Sequence, residues 1–570
     1  MIAARKVAWT LCTLAHLAAP AVGGAVATTM LVACADETDP QTWVKRLDDP
    51  KQRTAAIKRL RQFFDDELAK ANKDRDNANV QALLAKIADP LTKTYLAGGL
   101  TDQTRKDLIK FLADMRDPRA SAALTKALTD FDPGKNDDDV KASLLAIKAM
   151  AQGGKKLDPS LVQALWTAFA KLRASSKSGP YLARDIQDAV LAVRDPSWAV
   201  AAVQKIGEPV DPKNESSSKD QFYWQFVSIQ LIGQLKPKEA IKPLVTIVVA
   251  PTKEALRPPA KAALLRMAVD AEPVLLRALD GSDPDFAKLE TKENYPDKSY
   301  IAIVSDALAA IGRPAGRNAV LAALEKADND TNRTVIGQAI YWFPRDPKVV
   351  EAFTSAYNKT SAESAVGLLG GVSARGALAR VSANFFDPKL TDWLLKEVVA
   401  AGKLEKELAE AIRLPALESA IRLMTPDQVK AVGEAVAKDG TDREKGMFKL
   451  AKEAVDKCVL DVPCYLKLLD EPIPSNVGTA NMKFVKAAWM AAIRGDDATR
   501  DELVKRLDKI RDPGTRLAVT EAILYLSPKG SASTADALEK VIKGDEDAGN
   551  TNQANASIST VALSLRSRAL

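Results

Sequence analysis

One recurring turn constrains this chain of 570 residues more than any other feature. An apolar helical pattern, a short turn closing in proline and a second pattern rich in Ala, Val and Leu return again and again. "KFLADMRDPRASAALTKAL" from Lys110, "DAVLAVRDPSWAVAAVQKI" from Asp188 and "QAIYWFPRDPKVVEAFTSAY" from Gln338 show the pattern. The turn prolines are Pro118, Pro159, Pro196, Pro237, Pro273, Pro314, Pro347, Pro388, Pro426 and Pro463, separated by 41, 37, 41, 36, 41, 33, 41, 38 and 37 residues. Proline lacks an N–H and has its φ preset, so it suits the first position of a helix. Asp117, Asp195, Asp346 and Asp387 precede it, where a carboxylate can accept the free N–H groups of the first turn. Ile301, Val304, Leu308 and Ile311 share one helix face, as do Val320 and Leu324 after the turn. Such stripes must be covered by neighbouring units, so length alone, which would suggest three or four domains, misleads here. "PLVTIVV" from Pro243 is the best β-like run, yet it occupies a second-helix slot and reads as helix.

A helix–turn–helix period near 38 residues with Asp-Pro in the turn resembles the HEAT family and its short bacterial HEAT-like variants. The resemblance implies an all-α fold, an α-solenoid of about 11–13 repeats across residues 41–545, whose curved surface binds macromolecules, usually proteins. The expected organisation is a discarded segment over 1–33, a tether over 34–40, solenoid repeats over 41–470 and an irregular linker over 471–481. Repeats return over 482–545, and a polar tail with a short capping helix occupies 546–570. The loops at 134–139, 211–220, 281–298 and 326–332 fall at one phase of the repeat, along one edge of a solenoid.

The N-terminus carries Arg5 and Lys6, then no charged residue from Val7 to Ala33 apart from His16 when protonated. A basic start, an apolar stretch and small residues before a cut make a secretory signal. Leu31-Val32-Ala33-Cys34 resembles the lipobox of bacterial lipoproteins, which implies lipidation of Cys34 and cleavage before it. Several acyl chains on one residue hold a bilayer stably where one chain does not. Ala33-Cys34-Ala35 also reads as an A-x-A site releasing a soluble protein from Asp36, and an uncleaved membrane helix is a third reading. Ala35 after the cysteine favours the outer membrane in the enterobacterial sorting pattern.

Loss of residues 1–33 would remove Arg5, Lys6 and His16, the only histidine, and lower the formal net charge from +7 to +5. A mature chain without histidine has no Ser-His-Asp triad and no His-ligated zinc. A small excess of positive charge spread along so long a chain is no nucleic-acid signature. "GLLGGVSARGALAR" (367–380) has Walker-like glycine spacing but Ala377 where lysine belongs, so close helix packing is the better reading. Ser216 and Lys219 match a bare S-x-x-K without its partner motif, in a predicted loop. "DPGKNDDD" misplaces its glycine for a calcium loop. "FYW" (222–224) and "YWF" (341–343) would line a ligand groove if exposed, but read as core. Cys458 and Cys464 flank the turn at Pro463, and an oxidising compartment would pair them as a disulfide.

The expected function is therefore a non-catalytic, lipid-anchored envelope scaffold that binds other envelope proteins and takes no cofactor, metal or nucleic acid. Its membrane contact is the lipid on Cys34. The alternatives are capture of glycan, peptidoglycan or a small ligand, and less so a HEAT-like lyase acting on bilin chromophores.

Overall fold

The computed structural model describes residues 36–288, 300–344, 346–366, 371–473, 481–550 and 552–570. The fold is all-α and solenoid-like; the strands among the described residues are Ala365–Val366 and Val372–Ser373, paired antiparallel. Cys34 lies outside the described residues, as does most of the predicted linker over 471–481. Packing divides the chain into two compact units after Met115.

The first unit begins with helix Pro40–Lys45, where the Asp39 carboxylate accepts from the Gln41 N–H at 3.1 Å. Helices Arg53–Lys70, Ala78–Ala97 and Asp102–Met115 follow. Leu60, Phe64, Leu84, Ile87, Leu108 and Phe111 are buried at the helical spacing their sequence implies. The Phe64 and Phe111 rings meet with centroids 5.8 Å apart.

In the second unit the turn prolines do the work foreseen for them. Pro118, Pro159, Pro196, Pro314, Pro347 and Pro426 all stand at helix starts, and Asp117, Asp158, Asp195 and Asp346 accept first-turn N–H groups. Pro273 differs: it sits inside helix Ala268–Leu279. Sequence reasoning also missed how the first helix ends. Arg116, Arg194, Lys236 and Phe386 take positive φ of 50–55° just before the turn, a left-handed exit that non-glycine residues adopt at a cost.

Several predicted loops are shorter than expected, because polar runs read as loop are helix caps and first turns. Asn214 caps helix Glu215–Leu235 with 3.0 Å to the Ser217 N–H, so Ser216 and Lys219 lie in a helix. Helix Asp137–Gln152 takes in the last residues of the 134–139 run, and Asn329 caps helix Asp330–Ala339. "PLVTIVV" lies in helix Ile241–Val249. Gly376 shows the close packing inferred from sequence: an added Cβ would lie 2.1 Å from the Ala411 carbonyl oxygen.

Hydrogen bonds between side chains about one repeat apart tie successive repeats together. Lys148–Asp188 spans 2.8 Å, Gln187–Gln230 2.8 Å and Lys261–Asp306 2.6 Å. Two buried lysines act differently. Lys253 Nζ donates to the Ile206 and Glu208 carbonyls, at 2.7 Å each, and Lys486 Nζ to the Arg422 and Met424 carbonyls. Each side-chain amine thus satisfies the orphan carbonyls of a helix C-terminus.

Past residue 300 the solenoid closes on itself. Helices Tyr300–Ile311, Asp330–Ala339, Ala374–Val381, Lys406–Leu423, Asp442–Cys458, Met482–Arg494, Pro513–Tyr525 and Asn555–Arg568 pack each on the next, and the last packs back on the first. Their partner helices alternate with them in sequence. The closing bonds span very long separations: Ser567 Oγ donates to the Ile311 carbonyl at 3.0 Å, and Arg568 to the Trp342 carbonyl. The polar run from Asp545 ends helix Ala532–Asp547 and leads into helix Asn555–Arg568, the capping helix expected within 546–570, where Ile558, Val561, Leu563 and Leu565 are buried. This helix packs on its neighbours Ala532–Asp547 and Pro513–Tyr525 and also on the distant helices Arg257–Arg266 and Tyr300–Ile311.

Cys458 and Cys464 are joined as a disulfide across the turn, with Cα atoms 5.4 Å apart. So short a loop confers about 2 kcal/mol. Reduction should therefore lower the free energy of urea unfolding by about that much. Alkylation of both thiols in native, unreduced protein would show that no bond is present.

Candidate functional site

The closed ring of helices surrounds a lumen, and the chain puts its unusual polar groups there. The turn Ser382–Phe385 reaches across: the Ala383 carbonyl accepts from Trp489 Nε1 at 3.1 Å, and Asn384 Nδ2 donates to Glu521 Oε1 at 3.1 Å. Phe386 stacks between Trp489 and Tyr525, with centroids 4.9 and 4.5 Å away.

This crossing divides the lumen. On one side lies a cavity of about 380 Å³, bordered by Arg380, Arg422, Arg443, Glu521, Trp489 and Met447. On the other is a cleft of about 340 Å³ walled by Tyr341, Phe343, Phe386 and Tyr525. A constricted space of about 10 Å³, close to that of one water, shares lining residues with both. Asn384 borders all three spaces.

The electrostatics follow from burial. Glu521 opens onto the cavity but is crowded by protein, and desolvation pushes its carboxyl up to about 7, against the opposing pull of Arg422 and the Asn384 bond. Burial also raises the Tyr341 phenol, helped by the Glu521 charge. Burial lowers Arg568, which reaches the constriction, to about 10, so it stays cationic at neutral pH. Arg443 pairs with Glu418 at 3.1 Å. The Arg422 guanidinium lies 5.7 Å from the centre of the Trp489 ring, and its buried Nε has no partner.

Glu521→Gln tests this environment. A carboxyl raised from 4.5 to about 7 contributes stability below pH 4.5 that is lost as pH rises through 7. Fully desolvated, that would be worth about 3 kcal/mol, and cavity water reduces it to about 2 kcal/mol. Relative to wild type, the glutamine variant should gain about 2 kcal/mol between pH 4.5 and pH 8 in denaturant unfolding. A difference that does not change with pH would refute the assignment.

The residues singled out in the sequence fall elsewhere, with one exception. Trp224 is core, its indole donating to the Phe169 carbonyl at 3.2 Å. Tyr341 and Phe343 of "YWF" do wall the aromatic cleft, while Trp342 is part-exposed and stacks on Tyr341 with centroids 5.4 Å apart. Arg422, Asn384 and Glu521 were missed, and Arg380, the end of the 367–380 run, was given no role, because three separate repeats supply the four and no local motif joins them. The available cue was phase: Arg380 and Arg422 stand about one repeat apart. Among the described residues no cluster of His, Cys, Asp and Glu could hold a metal ion, and no helix is long and apolar enough to cross a membrane.

Neither a protein-family model nor a curated protein matches the chain. Among solved structures it is similar to the crystal structure of an engineered protein, at 15% identity over 84% of this chain and 98% of that one. The TM-score is 0.19, too low to support any assignment.

Proposed function

We propose that the protein is a lipid-anchored, extracytoplasmic HEAT-repeat scaffold that binds other proteins of the bacterial envelope and is not an enzyme. The observation that supports it best lies in the repeats before the ring. Leu145 and Tyr181, on neighbouring helices, are 50% and 43% exposed. Lys141 Nζ sits 4.1 Å from the centre of the Tyr181 ring, and Leu145 follows Lys141 by one helical turn. Lys141 also pairs with Asp185 at 3.4 Å. Two exposed apolar side chains beside an ion pair mark where a protein partner would dock.

The anchor rests on the Leu31-Val32-Ala33-Cys34 sequence, and a cysteine pair able to oxidise suits the same compartment. For ligand capture by aromatics, "FYW" offers little, since Trp224 is buried, while "YWF" offers a part-exposed Trp342 and a cleft walled by Tyr341 and Phe343.

Two measurements test the proposal. Fatty-acid labelling and intact mass should show lipid on Cys34, lost in Cys34→Ser. A photo-crosslinker at Leu145 or Tyr181 should trap a discrete envelope protein in intact cells, while one at exposed Lys73 should not. An unlipidated chain beginning at Asp36 would remove the anchor, and equal trapping at all three positions would remove the surface.

A further inference from the structure

We propose that the 380 Å³ cavity inside the ring binds a small organic anion, an apolar body ending in a carboxylate or phosphate group. Its volume falls in the range of small-molecule sites, ~300–1,000 Å³. The lining decides the charge of the ligand. Three guanidinium groups, Arg380, Arg422 and Arg443, face one carboxylate, Glu521. Arg443 is already paired with Glu418, but neither Arg380 nor Arg422 has an ion-pair partner among the described residues. Both side chains line the space, so their guanidinium groups are available to a ligand's oxygens. Guanidinium forks match both carboxylate and phosphate oxygens, so the two anions share one recognition chemistry.

The walls decide the body. Leu517 gives exposed apolar surface beside the arginines, backed by the buried Trp489, Met447 and Met482, and Gln338 and Asn384 add neutral hydrogen-bonding groups. A free metal cation is disfavoured by the excess of positive charge. A bare inorganic anion would leave the leucine surface uncovered.

Glu521 makes the site pH-dependent. With its carboxyl raised to about 7 by burial, it is largely neutral in mild acid, and an incoming anion then meets only cations. Above that range its charge opposes binding. Around it stand Arg380, Arg422, Arg443, Arg568, Asn384 and Tyr341, and Glu521 is the group whose charge changes near neutrality. This site is independent of the scaffold proposal: loss of envelope cross-links leaves it standing, and failure of anion binding leaves the outer surface standing.

The test is calorimetric titration of the full mature chain with 3-phenylpropanoate, phenyl phosphate and the neutral 3-phenylpropanamide at pH 5.5 and 8. One or both acids should bind at least tenfold more tightly than the amide, and more tightly at pH 5.5 than at pH 8 after allowance for ionisation of the probe itself. Which acid binds better distinguishes a carboxylate from a phosphate ligand. Arg380→Gln, at an exposed position that the fold does not need, should weaken acid binding about tenfold and leave thermal unfolding unchanged. Glu521→Gln should remove the pH dependence, and the wild-type pH series makes the same test if that variant does not fold. Equal binding of acid and amide, no acid binding up to 10 mM (about 3 kcal/mol), or indifference to Arg380→Gln would each overturn the proposal.

Discussion

Leu565→Asp is expected to undock the last helix and open the ring, at a cost of about 4 kcal/mol. Leu565 is fully buried in helix Asn555–Arg568, which packs on helices Ala532–Asp547, Pro513–Tyr525, Arg257–Arg266 and Tyr300–Ile311. The substitution removes a leucine's worth of apolar burial and places a carboxylate in an apolar setting without a partner. The cost cannot exceed the free energy of docking, because beyond that point the helix leaves and its aspartate returns to water. The outcome to measure is therefore local. Hydrogen exchange should rise across Tyr300–Ile311 and Pro513–Tyr525, while helices Asp137–Gln152 and Gly179–Val193 keep their protection. Ala556→Asp, at an exposed position in the first turn of the same helix, should change stability by no more than about 0.5 kcal/mol. Equal protection of Tyr300–Ile311 in both variants would mean that the closing contacts carry no stability.

That closure marks where the sequence stopped being legible. Repeats could be read because each states its own stripe, cap and proline, as Asp195, Pro196 and the buried Trp198 do. The stripe of helix Tyr300–Ile311 was read as Ile301, Val304, Leu308 and Ile311. In the fold Ile301 is only part-buried, while Ala302, Ser305, Ala307, Ala309 and Ala310 are buried too, because helices Ile241–Val249, Ala268–Leu279 and the last helix cover further faces. An apolar all-round helix signals burial on several sides, but the covering element can lie anywhere in the chain. Helix Met482–Arg494 carries the same signal, with buried Phe484, Lys486, Trp489 and Met490 spread around it. The lumen was illegible for a related reason. Its charged groups are spread from Arg380 to Glu521 over several repeats, and each alone looks like an ordinary solvated residue of its helix. Asp545 sits in a run, "DEDAGNTNQANAS", whose composition says loop, yet ion pairs with Arg511 and Arg516 hold it in the interior.

Asp545→Ala should destabilise the ring by roughly 4 kcal/mol, because it strands a buried guanidinium. Arg516 is completely buried in helix Pro513–Tyr525, and its Nη1 lies 2.6 Å from Asp545 Oδ2. Arg511 reaches Oδ1 at 2.8 Å, and Asn555 Nδ2 donates to Oδ2 at 3.1 Å. One carboxylate thus ties together three of the elements that close the ring. Burial works against its ionisation, but the Asn555 bond and the arginines prevail and hold its carboxyl below the ordinary 3.8. A lowered carboxyl contributes stability that is present above pH 3.8 and lost as pH falls through its folded-state value. Wild type should therefore lose its advantage over Asp545→Ala as the solution is acidified below that point. Arg516 already leaves Nε and Nη2 without partners, so the pair is an imperfect one. Replacing both members should then cost less than breaking the pair: Arg516→Met/Asp545→Ala should be more stable than Asp545→Ala alone by about 2 kcal/mol. If the double variant is instead the less stable of the two, the buried pair contributes net stability of its own, and its desolvation cost has been repaid by the bonds around it.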